Sequence, residues 1–184
     1  MAQKTIKTST LIIVISIAVI VITGTSIGIW LGVRNSLKDT DHPDQDWSFK
    51  VTGDLVGDDF NITIKELLNM PQHEDEYSIK SAPPHTTETY TGVTLQYLFD
   101  KEIKIATSAT KVTFIAWDGY SWTFDISIFE NNASHILAHS KDGVYYDSYP
   151  NGGDGYLRLV MPASGEDDFN GQYCIKCVVE LRFS

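Results

Sequence analysis

The sequence is short of cysteine, of basic side chains and, over one long stretch, of any charge at all. Two cysteines in 184 residues cannot build a disulfide framework or a four-thiolate zinc site. Six prolines and thirteen glycines exclude a collagen-like or low-complexity chain. Fourteen Lys and Arg stand against 24 Asp and Glu, for a formal charge of −10. No acid precedes Asp39, and only Lys4 and Lys7 precede Arg34. The chain from Arg34 onward therefore holds twelve basic and 24 acidic groups, a net of −12. So acidic a body repels a phosphate backbone, which argues against nucleic acid as a partner. The sequence shows no serine nucleophile elbow, no P-loop and no internal repeat.

What is present begins with the charge-free stretch. Between Lys7 and Arg34 lie 26 uncharged residues, and positions 11–33 read LIIVISIAVIVITGTSIGIWLGV. A helix rises about 1.5 Å per residue, so about 20 apolar residues cross the ~30 Å hydrocarbon core of a membrane. The rival is a cleaved signal peptide, whose apolar region runs only about 7–15 residues. Here the run passes the small residues Gly24–Ser26 and continues to Leu31. We therefore expect a short tail at 1–10, a transmembrane signal-anchor helix at 11–33, a polar stalk at 34–46 and one folded domain at 47–184. Basic residues flank the span on both sides, so their count barely sets the orientation. The short tail leans it towards a cytoplasmic N-terminus, with 34–184 outside. The glycosylation sequons at Asn61 and Asn132 suit that placement.

In the body, short alternating runs are broken by turn residues. Residues 47–52 and the run Phe60, Ile62, Ile64 read as strands. Thr63 and Glu66 have capping-box spacing before a short helix that Pro71 stops. Thr94–Asp100 reads as a second helix. Residues 111–117 and 120–126 form a hairpin about Asp118-Gly119, and 136–139 with 144–146 a second about Lys141-Asp142-Gly143. Tyr156–Met161 and Tyr173–Phe183 read as the last strands. The class expected is α+β, a single mixed, strand-rich domain.

Few constellations carry chemistry by themselves. Cys174-x-x-Cys177 has redox spacing, but it falls in a run read as strand, where residues three apart point to opposite faces. The expectation is two small buried apolar residues. His135 and His139, read on one strand, stand about 13 Å apart (four residues at ~3.3 Å each), too far for one metal ion, and are expected to be exposed. The loop from Asp147 to Gly155 fails the EF-hand pattern at Tyr149 and Arg158. The acids Glu74–Glu76 and Glu166–Asp168 read as solvated loop charge, with a calcium-dependent surface module as an outside possibility.

The order of segments goes further. FKVTG at 49–53 is followed by ITIKELLNMP, YTGVTLQYLF, KVTFIAWDGYSWTFDI, HILAHSKDGV, GYLRLVMP and IKCVVELRF. With Gly92-Val93, Asp118-Gly119-Tyr120 and Arg158-Leu-Val-x-Pro162 in that order, residues 47–184 resemble the oxidoreductase molybdopterin-binding domain of the sulfite-oxidase family. The resemblance implies a mixed α/β domain in which a pterin dithiolene and one protein cysteine hold molybdenum, for oxygen-atom or electron transfer. It places that cysteine near Ile79, Lys80 or Ser81, where this sequence has none. It implies cofactor contacts from Arg158 and Lys176, basic groups suited to a pterin phosphate, and from His85 in the loop at the cysteine position. Two functions follow: a membrane-anchored extracytoplasmic oxidoreductase domain free to dock on a membrane redox partner, or a cofactor-free interaction module on the same scaffold.

Overall fold

A computed structural model describes residues 46–81, 86–147, 155–165 and 168–184. The anchor, nearly all of the stalk, His85 and most of the Asp147–Gly155 loop lie outside the described residues. Among those described, no helix is long and apolar enough to cross a membrane.

Among the described residues, ten strands form two sheets. The first has the order β2 (Phe60–Thr63), β1 (Ser48–Gly53), β10 (Val178–Phe183), β5 (Lys111–Ala116), β6 (Ser121–Asp125). Its one parallel pairing joins β1 to β10, and the rest are antiparallel. The second runs β3 (His73–Ile79), β4 (Thr86–Thr94), β7 (Ile136–Lys141), β8 (Val144–Tyr145), with β9 (Arg158–Val160) also paired to β7. Strand side chains alternate between faces. Phe49 and Val51 of β1, and Val112, Phe114 and Ala116 of β5, accordingly all turn inward. Apolar residues of both sheets belong to one core.

Local chemistry explains most turns and helices. In α1 (Ile64–Asn69) both halves of the capping box form: the Thr63 hydroxyl accepts from the Glu66 N–H, and the Glu66 carboxylate accepts from the Thr63 N–H. Helix α1 buries Ile64 and Leu67. At the β7–β8 turn, Asp142 and Gly143 have φ of +50° and +76°, as a two-residue hairpin loop of type I′ requires. The β5–β6 turn closes through Gly119 at φ +85°. Gly92 marks a register shift between β4 and β7. A Cβ there would lie 2.3 Å from the Leu137 carbonyl oxygen, so the backbones approach only because the residue is glycine.

Four expectations change. Glu74–Glu76 lies in β3, an exposed edge strand, rather than in a loop. The second helix is α2 (Leu95–Tyr97), which runs on into a wider π turn over Leu98–Glu102. The last two strands begin later than expected, at Arg158 and Val178. Both histidines are buried: His135 packs edge-on against Phe129, and His139 stacks on Tyr145.

Candidate functional site

A cavity of about 400 Å³ opens where the end of β3, the β5–β6 turn and the chain between β9 and β10 converge. That volume lies in the range of small-molecule sites. Ile79 and Ser81 form one wall, and Ala116, Trp117 and Tyr120 another. The third wall runs from Gly171 to Cys177, and Arg158 also lines the cavity. Trp117 and Tyr120 are exposed large aromatics at these walls. The Tyr120 hydroxyl donates to the Gln172 carbonyl at 2.7 Å, tying two walls together.

Asn170 fixes the third wall. It is fully buried, and its amide spans three segments. The side-chain oxygen accepts from the Lys80 N–H at 2.7 Å, while the side-chain nitrogen donates to the carbonyls of Ser78 at 3.0 Å and Met161 at 2.8 Å. Next to it, the Gly171 N–H donates to the Lys80 carbonyl at 3.0 Å. A Cβ on Gly171 would come within 2.8 Å of the Ser81 Cβ, so glycine permits this approach.

Arg158 supplies the buried charge. Only 8% of it is exposed. Its guanidinium sits 5.7 Å from the centre of the Tyr90 ring, within cation–π reach. The Tyr90 hydroxyl donates to Glu88, which also pairs with Lys141 at 3.0 Å. Burial pushes the Glu88 carboxyl up, but the hydrogen bonds from Tyr90 and Lys141, with the charges of Lys141 and Arg158, leave it below its ordinary value. The Arg158 Nε is buried and has no hydrogen-bond partner among the described residues. A buried donor of that kind carries a desolvation cost that a ligand can relieve. The backbone of Arg158 bridges that of Lys176, which is exposed and lines the same cavity. The two basic residues singled out in the sequence are therefore brought together, one buried and one open to solvent.

Both cysteines are buried, as expected, but their strand placement is overturned. Cys174 and Cys177 precede β10 rather than lie in it, and both line the cavity. Cys174 follows the 3₁₀ turn Asn170–Gln172, its N–H bonded to the Asn170 carbonyl. The Cys174 Sγ accepts from the Met161 N–H at 3.4 Å and donates to the Met161 carbonyl at 3.5 Å. Burial pushes its thiol up to about 11, against a smaller downward pull from Met161 and Arg158. Cys177 has φ +54°. For a residue with a Cβ this left-handed conformation costs about 1–3 kcal/mol and persists only when neighbours enforce it. Here the Cys177 carbonyl accepts from the Trp117 N–H at 3.0 Å, and the next residue, Val178, donates to the Leu157 carbonyl at 3.0 Å. Gly155 closes over it: a Cβ there would lie 2.6 Å from the Cys177 Sγ. The C-x-x-C spacing was the available sequence signal, but its convergence with Arg158 is a tertiary fact.

His135 and His139 do not join this cavity. The His139 Nε2 lies 2.7 Å from the Gln72 side-chain oxygen, and burial lowers its pKa to about 4, so the ring is neutral near pH 7. Asp168 lies in a solvent-facing loop, as expected, and also caps that loop, accepting from the Ser164 N–H, the Ser164 hydroxyl and the Tyr173 hydroxyl. Among the described residues no three His, Cys, Asp or Glu side chains converge to hold a metal ion.

No family model matches the chain, and no curated protein matches it. Among solved structures, the sulfane dehydrogenase SoxCD from Paracoccus pantotrophus is similar, with a TM-score of 0.62 and 17% identity over 78% of this chain. The match spans 39% of that protein's chain. At that identity the likeness is one of fold, and the strand-rich mixed domain described here has the fold of a domain found in that dehydrogenase.

Proposed function

We propose that the protein is a membrane-tethered oxidoreductase domain, held outside the cytoplasm by residues 11–33, whose cavity takes a molybdopterin-type cofactor. One observation carries the reading: the buried Arg158, its Nε unpartnered among the described residues, lines one cavity with the exposed Lys176. An anionic group there gains charge-assisted hydrogen bonds and relieves the buried donor. Trp117 and Tyr120 offer aromatic surface to a planar ring. The residues thus suit an anionic heterocycle. Arg158 and Lys176 would hold its phosphate, with His85 as a third contact. When bound, such a group supplies redox chemistry at its metal, and the protein binds and orients it. The sequence resemblance and the fold shared with a dehydrogenase support the assignment.

Ile79 and Ser81 favour a second reading. They line the cavity without bringing a thiolate from the wall where the resemblance places one. On that reading the same cavity serves a cofactor-free recognition module for an anionic ligand. The deciding experiment purifies the full-length protein from cells that make molybdopterin. Molybdenum is measured by elemental mass spectrometry and pterin by fluorescence after oxidation. Pterin near one per chain is expected. Folded protein carrying neither pterin nor molybdenum establishes the second reading instead.

A further inference from the structure

We propose that the rim of the cavity is a membrane-docking face, where Trp117, Tyr120 and Phe169 enter the interfacial layer of the bilayer that holds residues 11–33. Among the described residues four large aromatic side chains are exposed: Phe60, Trp117, Tyr120 and Phe169. Three of these four stand at this one rim. Trp117 and Tyr120 lie on the β5–β6 turn and line the cavity. Phe169 directly precedes the third wall, and its carbonyl accepts from the Gln172 N–H at 3.4 Å. The Gln172 carbonyl in turn accepts from the Tyr120 hydroxyl, which joins the two sides of the rim. Trp117 is 60% exposed and Phe169 55%, so neither is there to fill the core. Exposed aromatics gathered in one place, with the polar Asp118 and Lys176 beside them, mark an interaction surface.

Residue type and tether length both point to lipid as the occupant. Trp and Tyr concentrate at membrane–water interfaces, where the ring meets the acyl boundary and the polar atom stays at headgroup level. The apolar stretch ends at Val33 and the described domain begins at Asp46, so residues 34–45 are the tether. At about 3.5 Å per residue they reach roughly 40 Å when fully extended. A compact domain of this size is itself about 35–40 Å across. The tether therefore keeps the rim within reach of the bilayer at a high effective concentration, and weak affinity suffices for docking. The net charge of −12 beyond the apolar stretch repels anionic headgroups. The surface thus suits a zwitterionic lipid, held by aromatic insertion rather than by charge. The inference rests on the membrane-tether reading and is independent of the pterin.

The test uses the full-length chain, labelled with fluorotryptophan, in phosphatidylcholine nanodiscs with and without a lipid that bears a nitroxide on its headgroup. Vesicles of the same lipid, washed with alkaline carbonate, read the tether separately. The Trp117 fluorine resonance, assigned with Trp117→Phe, is expected to broaden about fivefold more than that of the half-buried Trp122, because it lies at headgroup level. This comparison needs no further variant. Tyr120→Ser and Phe169→Ser should each remove most of the difference, while the spread of the remaining resonances reports that the domain stays folded. Replacing part of the lipid with phosphatidylglycerol should weaken the broadening at low salt, and added salt should restore it. A chain that the wash extracts overturns the tether and the docking face together. A retained chain whose Trp117 broadens no more than Trp122, or whose broadening survives both substitutions, overturns the docking face alone. So does broadening that rises with phosphatidylglycerol, since charge would then hold the surface.

Discussion

The two sheets draw on different chemistry although they share one core. Beneath the first, Phe114, Phe124, Phe129 and Phe183 meet edge-on or tilted, with ring centres 5.4–5.9 Å apart through Phe99 and one another. Beneath the second lie Tyr77, Tyr90, His135, His139 and Arg158, each buried and each carrying a polar atom. Apolar rings stabilise by burial and packing alone. Buried polar atoms cost free energy unless each finds a partner. The first region therefore reads as scaffold. The second tolerates a cost that selection for stability alone would remove, and at Arg158 that cost reaches the cavity.

The sharpest way to break this contrast is to damage each region and measure both stability and binding. Phe114→Ala opens a void in the aromatic cluster and is expected to cost about 3–5 kcal/mol in denaturant melts. Molecules that remain folded should keep any bound pterin. Asn170→Leu takes the side-chain partner from the Lys80 N–H and from the carbonyls of Ser78 and Met161, in two neighbouring segments. It should cost about 2–4 kcal/mol, each lost buried partner contributing about 1–3 kcal/mol before relaxation, and lower the pterin content as well. If pterin content is unchanged, Asn170 does not shape the site.

His139 tests the second region through pH. Its folded pKa of about 4 lies below the ordinary value of 6.5. The unfolded chain thus binds more protons between those values, and stability falls as pH drops from about 6.5 to about 4. The loss attributable to this one ring is on the order of 3 kcal/mol. His139→Gln should flatten the stability profile over that window relative to wild type. An unchanged slope would show that the ring is protonated in the fold. The smallest expected effect is the most telling. Arg158→Met removes a buried charge whose Nε has no partner among the described residues, at the loss of the Nη1 hydrogen bond to the Tyr90 hydroxyl at 3.5 Å. Its melting free energy should lie within about 1–2 kcal/mol of wild type, while any bound pterin is lost. Collapse of the fold would make Arg158 a structural residue.

The parts legible in the sequence are those governed by neighbours along the chain. The capping box of α1 and both hairpin turns depend on two to four consecutive residues, and each formed where the residues placed it. Strand β3 was hidden because His73–Glu76 carries three acids, which suits an exposed sheet edge as well as a loop. The histidines looked solvent-bound because nothing local announces Phe129 and Tyr145 as ring partners. The cavity shows both limits. Arg158 and Lys176 are brought forward by the family resemblance rather than by any local pattern. Cys174 and Cys177 were misassigned because alternation was extended back through a segment that contacts with Asn170, Trp117 and Gly155 hold out of the strand.

The parallel pairing of β1 with β10 has a consequence for the time course of folding. Strand β1 takes its place beside β10, and the Thr52 hydroxyl reaches Glu180 across 128 residues of chain. On a ribosome, residues 48–53 emerge early and cannot find that neighbour until residues 178–183 have been made. The first sheet is therefore completed after translation of the domain, late and across a large loop-closure entropy. Until then the apolar face of β5 and the unpaired edge of β1 stand open to wrong partners. The domain's most vulnerable moment falls before its final strand arrives, and a chaperone that shields β1 would act in that interval.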